Sequence, residues 1–227
     1  MSARALRPAA VLFDCDGVLA DSEAVANGAI ADDLTERGWP TTMEEAKHAF
    51  MGTALPDIRE VVERRLGAPL PEDWSEQVVE RIVARYAAGV LEPIRGARAA
   101  VEAVAAAGIS MAVASNSGRA ELRAKAAILP FFHHFEGRLL CFEDVPRAKP
   151  WPDLYLAAAK LCGADPRDCV VIEDSTAGAR AGLAAGCRVL GFAQDTPAAD
   201  LRAAGVTEIF HDHAELPALL GIGRMAA

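Results

Sequence analysis

The chain has 227 residues, of which 52% are hydrophobic, and it carries a formal net charge of −9. This length accommodates one ordinary domain and a smaller one, with enough apolar residues for a sizeable core. The negative charge disfavours nucleic acid and anionic membranes as partners. An anionic ligand would therefore need local attraction from a metal, a lysine or helix N-termini.

Cellular location is predicted from the termini and the cysteines. The first ten residues lack the apolar stretch of a signal peptide, and no apolar run approaches the roughly 20 residues that span a bilayer. The five cysteines form no CxxC pair, which is typical of a reduced compartment. We therefore expect a cytoplasmic protein, and no feature indicates a protein partner. The histidines at 133, 134, 211 and 213 are interpreted as surface residues.

The first predicted strand spans residues 9–14 and is followed by two nearby carboxylates, Asp14 and Asp16. Residues two apart on a strand lie on the same side, and Gly17 allows the chain to turn away at once. Like charges this close raise each other's pKa unless a cation or a proton lies between them. The pair indicates either a Mg²⁺ site with one nucleophilic and one proton-transferring carboxylate, or simply surface acids at a strand end.

Residues 21–91 form a predicted all-helical segment. Helical patterns cover residues 21–37, 42–50, Leu55–Leu66 and 72–91, separated by glycine and proline turns. The apolar residues recur at helical spacing and no strand alternates here. At about seventy residues, the segment has the size of a small domain. We therefore predict a core of residues 1–20 and 92–227 and a helical domain of residues 21–91.

From residue 92 onward, apolar strands alternate with helices. This alternation indicates an α/β fold whose parallel sheet is covered by helices on both faces. Ser175 is a predicted N-cap. The predicted strands are 109–114, 138–142, 169–172, 187–192 and Glu208–Phe210, and the predicted helices are 97–107, Arg119–Ile128, 153–162, 177–185 and 216–220.

Polar residues cluster at the predicted strand ends, where ligands of open parallel sheets bind. Together they supply a carboxylate nucleophile, a hydroxyl and an amide for phosphate oxygens, a cation and a second acidic pair for a metal. This inventory fits phosphoryl transfer. Taken singly, the lysine could be a solvated loop residue and the second acidic pair a helix cap. The residues are Asp14, Asp16, Ser115, Asn116, Lys149, Glu173 and Asp174.

Four motifs in this order, DCDGVLAD, VASNS, KPWPD and VIEDSTAG, resemble those of the haloacid dehalogenase (HAD) superfamily. The chain is most similar in kind to the phosphatase and beta-phosphoglucomutase branch, because the helical segment falls where that branch carries its cap. The resemblance implies a Rossmann-like parallel-sheet core with an inserted all-helical cap. It also implies a Mg²⁺-dependent phosphatase that acts on a small phosphorylated metabolite, with a sugar phosphate as the expected class, through an aspartyl-phosphate.

The resemblance assigns the carboxylates to catalysis and to the metal. Asp14 matches the nucleophile, and Asp16 matches the general acid and base whose backbone carbonyl also binds Mg²⁺. Asp174 matches a metal ligand, and Glu173 matches either a ligand or a hydrogen-bond partner of one. All four are therefore expected at the metal.

The same resemblance assigns three residues to phosphate binding. Ser115 matches the phosphate-binding hydroxyl position, with Asn116 beside it. Lys149 matches the lysine that holds the phosphate and offsets the carboxylates. Its place before a proline gives its backbone a fixed conformation.

Three other functions stay open. In phosphomutases of the beta-phosphoglucomutase type, a cap histidine and a cap-loop arginine correspond by ungapped counting to Ala26 and Leu55, with Arg59 one helical turn later. A hydrolytic dehalogenase has no acid two residues after its nucleophile, so Asp16 argues against it. A catalytically inactive binding protein is disfavoured because every motif position is chemically competent.

Overall fold

The computed structural model describes residues 7–50 and 53–222. The first part of the chain contains one strand of the main sheet, then a short strand, four helices and a second short strand that pairs with the first short one. These elements are β1 (Ala10–Phe13), β2 (Ala20–Asp21), α1 (Glu23–Glu36), α2 (Met43–Phe50), α3 (Leu55–Leu66), α4 (Trp74–Arg85), a π-helical turn (Tyr86–Val90) and β3 (Glu92–Pro93).

The second part alternates strands and helices, as predicted. Its elements are α5 (Ala97–Ala106), β4 (Ser110–Ala114), α6 (Arg119–Ile128), β5 (Leu139–Leu140), α7 (Asp153–Leu161), β6 (Cys169–Glu173), α8 (Thr176–Ala184), β7 (Arg188–Phe192), α9 (Ala198–Ala203), β8 (Glu208–Phe210) and α10 (Leu216–Leu219). Short 3-10 helices occur at Pro130–Phe135, Phe142–Asp144, Pro166–Asp168 and His213–Glu215.

Six strands form one parallel sheet in the order β5-β4-β1-β6-β7-β8. The central strand β1 is fully buried, and its alternate residues face two separate apolar clusters. Helices α5, α6 and α10 contribute to one cluster, whereas α7, α8 and α9 contribute to the other. The predicted α/β fold with a parallel sheet covered on both faces is therefore confirmed.

The helices α1–α4 follow the sheet's first strand and return through a two-stranded connection. In this connection Ala20 pairs with Pro93 and Asp21 pairs with Glu92 in antiparallel register. Trp74 lies fully buried inside the helical segment, and its indole nitrogen donates a hydrogen bond of 2.7 Å to Asp33. None of the helices in residues 7–50 and 53–222 is long and apolar enough to cross a membrane.

Two predicted bounds change for identifiable local reasons, and one short helix was not predicted. Helix α1 begins at Glu23 instead of residue 21 because Asp21 pairs with Glu92 in β2. The strand predicted at 138–142 shrinks to Leu139–Leu140, because the backbone amide of Cys141 bonds Asp144 and opens a 3-10 turn. The helix Ala198–Ala203 was not predicted, since six residues carry little periodic signal.

The interpretation of His213 as a surface residue is wrong. The side chain is 1% exposed and its ring stacks on Phe192 with centroids 4.5 Å apart. Its Nε2 lies 2.8 Å from the carbonyl oxygen of Val18, in the loop that follows β1. Its Nδ1 is buried without a hydrogen-bond partner among the described residues. His213 thus fixes the loop beside the predicted carboxylates.

This burial predicts a pH-dependent stability. Burial lowers the pKa of His213 below its usual 6.5, despite the bond to Val18. As the pH falls below 6.5, the unfolded chain binds a proton at this histidine before the folded chain does. The contribution of neutral His213 to stability is complete above pH 6.5 and is lost as the pH falls from there through the folded pKa. Between about pH 7.5 and about pH 5.5, the wild type should therefore lose more unfolding free energy than His213→Gln. Urea denaturation measures this difference, and equal losses would contradict it.

Candidate active site

The predicted site residues meet at the carboxyl ends of three adjacent strands. Asp14 follows β1, and Ser115 follows β4. Glu173 ends β6, and Asp174 comes next. Because β4, β1 and β6 are neighbours in the sheet, these residues converge at one edge. Lys149 reaches the same edge from the loop that precedes α7.

Lys149 lies at the centre of the site and is 5% exposed, so the alternative of a solvated loop lysine is wrong. Its Nζ lies 2.6 Å from Asp14 Oδ1 and 2.7 Å from Glu173 Oε1. Its backbone amide donates to Asn116 Oδ1 at 3.0 Å, and Asn116 Nδ2 donates back to the Lys149 carbonyl at 3.2 Å. Burial alone would lower the pKa of Lys149, but the two carboxylates raise it above its usual value.

Three buried carboxylates surround one point beside this lysine. Asp14, Glu173 and Asp174 each offer an oxygen, and these oxygens lie within 4.8 Å of one another. Burial, reinforced by the charge of Glu173, raises the pKa of Asp14 to about 8 and that of Asp174 well above its usual value. The cluster therefore carries more carboxylates than one lysine can balance, and its all-oxygen donor set suits a hard divalent cation.

Glycine is required where the chain passes this cluster. Gly17 has a φ of 73°, and a Cβ built there would lie 2.0 Å from Asp174 Oδ2. Gly178 in α8 approaches Glu173 still more closely, since a Cβ there would lie 1.5 Å from Oε1. Any larger residue at either position would displace a site carboxylate.

Ser175 caps α8, as predicted, by accepting a hydrogen bond of 3.0 Å from the backbone amide of Gly178. Its own amide and hydroxyl both donate to Glu173 Oε2 at 2.9 Å. The cap role considered for the acidic pair is therefore taken by the serine, and Asp174 stays available to the cluster.

Asp16 is held on the other side of the site by four donors. Ser22 Oγ and Lys125 Nζ donate to its Oδ1, while Ser115 Oγ and Ser117 Oγ donate to its Oδ2 at 3.0 and 2.9 Å. Burial would raise its pKa, but Lys125 and the hydroxyl groups lower it to about 2. In this orientation Asp16 is an ionised acceptor.

Sequence reasoning missed the group that holds Asp16. Lys125 is fully buried, and its Nζ also lies 2.6 Å from Glu121 Oε1 and 2.8 Å from Ser117 Oγ. Tyr86, at the end of the helical segment, donates its hydroxyl hydrogen to the same Glu121 oxygen at 3.0 Å. A glutamate and a lysine four residues apart usually indicate an exposed helical pair, so the sequence carried no signal for this network.

Tyr155 was missed for a different reason. It lies on the buried face of α7, and its hydroxyl donates to Glu173 Oε1 at 2.8 Å. Its ring centroid is 4.8 Å from Lys149 Nζ. The signal was available in the sequence, because Tyr155 follows the KPWPD motif by two residues, but a tyrosine there also fits ordinary core packing.

A cavity of about 690 Å³ lies between the strand ends and the helices α1, α3 and α4. Ser115 and Glu173 are fully buried and do not line it. The predicted site residues that do line the cavity are Asp14, Asp16, Asn116, Lys149 and Asp174.

Glu23, at the start of α1, also lines this cavity. Its side chain is 13% exposed, and its Oε2 has no hydrogen-bond partner among the described residues. The nearest cation, Lys47 Nζ, lies 3.6 Å away and bonds Asp195 at 2.6 Å. Burial raises the pKa of Glu23 to about 7, although Lys47 opposes this shift.

The model of the haloacid dehalogenase-like hydrolase family matches residues 8–186. This match spans most of the chain and contains the four motifs. The chain therefore belongs to the haloacid dehalogenase-like hydrolases. The predicted superfamily and the predicted hydrolytic enzyme are confirmed.

Two proteins of Escherichia coli K12 are similar in sequence. A 6-phosphogluconate phosphatase is 35% identical over 186 residues, which cover 82% of this chain and 83% of that protein. Hexitol phosphatase A is 34% identical over 191 residues, which cover 82% of this chain and 84% of that protein. A solved HAD family hydrolase from Deinococcus radiodurans R1, with bound phosphate and sodium, is 33% identical and has a TM-score of 0.72. The match covers 96% of this chain and 97% of the hydrolase chain.

Proposed function

We propose that this protein is a Mg²⁺-dependent phosphatase that hydrolyses a small sugar-type monophosphate through an aspartyl-phosphate on Asp14. The observation that carries the proposal is the position of Lys149, whose Nζ lies 2.6 Å from Asp14 and whose side chain lines a cavity of about 690 Å³. A nucleophile, a fixed cation and a surplus of carboxylates at one cavity are what phosphoryl transfer needs. The two phosphatases among the relatives support the same conclusion.

The residues present fit Mg²⁺. Asp14 and Asp174 offer buried carboxylate oxygens with raised pKa values, and the backbone carbonyl of Asp16 is a third candidate. Both oxygens of Glu173 already accept hydrogen bonds, from Lys149 and from Ser175. Glu173 is therefore better suited to hold those partners than to bind the ion directly. Bound Mg²⁺ would neutralise phosphate charge and orient the phosphoryl group.

Hydrolysis proceeds in two displacements at phosphorus. An Asp14 oxygen attacks phosphorus, the ester P–O bond breaks, and Asp16 protonates the departing alcohol oxygen. Water then attacks the aspartyl-phosphate, Asp16 takes the water proton, and inorganic phosphate leaves with Asp14 restored. Lys149 donates hydrogen bonds to the phosphoryl oxygens throughout.

Asp16 must turn within the site to perform its role. Its carboxylate is ionised while Lys125 and three hydroxyl groups donate to it. Donation of a proton therefore requires the side chain to leave Lys125 and enter the cavity that it already lines. This movement would also uncover the buried hydroxyl group of Ser115, so that it can donate to a phosphate oxygen, which is the role proposed for it.

Helices α1–α4 act as the cap over this site, with the core formed by residues 1–20 and 92–227. The antiparallel pairs Ala20–Pro93 and Asp21–Glu92 support this division, because they lie at the borders of residues 21–91. The two connections are thus tied to each other where the chain enters and leaves the cap.

The cavity does not favour the mutase alternative. Ala26 and Leu55, the positions that correspond to the histidine and arginine of mutase relatives, both line the cavity. Arg59 is turned to the loop after α3, where its guanidinium bonds the carbonyls of Leu70 and Glu72 and the side chain of Glu63. These positions offer no cation for a second phosphate.

Removal of a metal ligand tests the proposal. We expect Asp174→Ala to raise the Mg²⁺ concentration for half-maximal turnover of p-nitrophenyl phosphate by roughly tenfold or more, because Mg²⁺ demands a nearly complete oxygen shell. The wild type should lose turnover when the ion is chelated.

The matched control is Asp168→Ala, an exposed aspartate just before the opposite end of β6. This variant should keep the wild-type Mg²⁺ activation curve. If Asp174→Ala also keeps it, Asp174 is not a ligand. If chelation leaves wild-type turnover unchanged, the proposed Mg²⁺ dependence is wrong.

A further inference from the structure

We infer that the substrate is the monophosphate of a polyhydroxy alcohol whose leaving group carries no second anionic group. This inference rests on the proposed phosphatase function and adds a substrate class to it. It depends on the charge and the hydrogen-bonding groups of the cavity wall that α1, α4 and the residues just before α4 contribute.

That wall carries carboxylates. Glu23 lies at the start of α1, Glu72 precedes α4, and Glu76 and Glu80 are four residues apart on one face of α4. Neither Glu76 nor Glu80 forms an ion pair within residues 7–50 and 53–222. A carboxylate or a second phosphate on the leaving group would therefore face several like charges.

Cations are scarce around the same space. Lys149 is the single lysine or arginine among the described residues that line the cavity. It is already bonded to Asp14 and Glu173, and its remaining capacity serves the transferred phosphate. A second anion entering the cavity would find no further lysine or arginine in the described lining to pair with.

Hydroxyl groups, by contrast, find partners there. Oε2 of Glu23, which accepts no hydrogen bond from a described residue and lies 3.6 Å from Lys47 Nζ, is an acceptor at the cavity wall. Asn27, Ser75 and Thr53 add uncharged polar groups to the lining. An alcohol can donate to Glu23, whereas an ionised carboxylate has no proton to donate. Exchanging one terminal CH₂OH for a carboxylate thus replaces a hydrogen bond with repulsion.

We therefore expect this chain to discriminate against 6-phosphogluconate, the compound for which a 35% identical relative is named. A matched pair of substrates isolates the difference. Sorbitol 6-phosphate and 6-phosphogluconate share one carbon chain and its configuration and differ only at C1. We expect kcat/KM to be at least about tenfold higher for sorbitol 6-phosphate than for 6-phosphogluconate. The ratio of the two kcat/KM values should decrease at high salt, because salt screens the repulsion.

Removal of two negative charges from the cap tests whether the cavity carboxylates cause this substrate preference. The double variant Glu76→Gln with Glu80→Gln should raise kcat/KM for 6-phosphogluconate by about threefold or more relative to sorbitol 6-phosphate. The control is Glu44→Gln with Glu60→Gln, which removes the same charge from exposed cap residues outside the cavity lining. The control should leave the substrate ratio unchanged.

Turnover of p-nitrophenyl phosphate separates this inference from the proposed function. If the aryl phosphate is hydrolysed but 6-phosphogluconate is the equal or better substrate, or neither polyol compound reacts, the inferred substrate class is wrong and the phosphatase function stands. An equal shift of the substrate ratio in both double variants overturns the role of the cavity carboxylates. If neither the aryl phosphate nor either polyol phosphate is hydrolysed with Mg²⁺ present, the phosphatase function and the inference are both wrong.

Discussion

Asp14→Asn is expected to lower kcat by roughly 10⁴-fold or more, because an amide cannot form the aspartyl-phosphate. The fold should survive this change. Asp14 lies beside Glu173, and burial together with that charge raises its pKa to about 8, so loss of the charge relieves crowding. Release of inorganic phosphate measures the rate, and circular dichroism measures the fold.

Asp200→Asn is the matched control, because Asp200 is an exposed aspartate on α9, far along the chain from the motifs. It should retain wild-type kcat. Mass spectrometry of the Asp14→Asn protein excludes deamidation back to aspartate. Residual turnover within about a hundredfold of the wild type would then show that Asp14 is not the nucleophile.

Lys149→Ala should affect both catalysis and stability. Loss of the phosphate-binding cation is expected to lower kcat by about 10²- to 10³-fold. It also leaves the buried carboxylates of Asp14 and Glu173 without their cation, which should lower the unfolding free energy by about 3 kcal/mol. Steady-state kinetics and urea denaturation without Mg²⁺ measure the two effects.

The control for this variant is Lys160→Ala, an exposed lysine on the next helix, α7. Lys160→Ala should change neither kcat nor the unfolding free energy. A higher KM with an unchanged kcat in Lys149→Ala would mean that the lysine only attracts the substrate. An unchanged unfolding free energy would mean that water replaces the lysine beside Asp14 and Glu173.

The sequence predicts those parts of the fold that are determined by residues close together in the chain. The buried strand before Asp14 and the strand that ends at Glu173 are continuous apolar runs, and their polar ends predict the edge at which ligands bind. The N-cap at Ser175 follows from the hydrogen bond that its hydroxyl oxygen accepts from the backbone amide of Gly178. Lys149 was predicted from its motif, and its buried position follows from the pairing of its backbone with Asn116.

The remaining parts depend on contacts between distant segments. Lys125 reaches Asp16 across 109 positions of sequence, and His213 reaches Val18 across 195. Contacts between residues so far apart in sequence leave no periodic or compositional pattern. Nothing in α6 or in the 3-10 helix His213–Glu215 therefore predicted that Lys125 and His213 lie at the site. The orientation of Asp16 follows from these contacts and was equally beyond sequence reasoning.

A phosphorus NMR time course distinguishes hydrolysis from movement of phosphate between sugar positions. The protein is incubated with Mg²⁺, β-glucose 1-phosphate and a glucose bisphosphate primer. The cavity positions Ala26 and Leu55 provide neither a histidine nor an arginine for a bisphosphorylated intermediate, so water should reach the phosphoenzyme. The account predicts that inorganic phosphate accumulates and that glucose 6-phosphate never runs ahead of it. Accumulation of glucose 6-phosphate before free phosphate would contradict the account and establish a mutase.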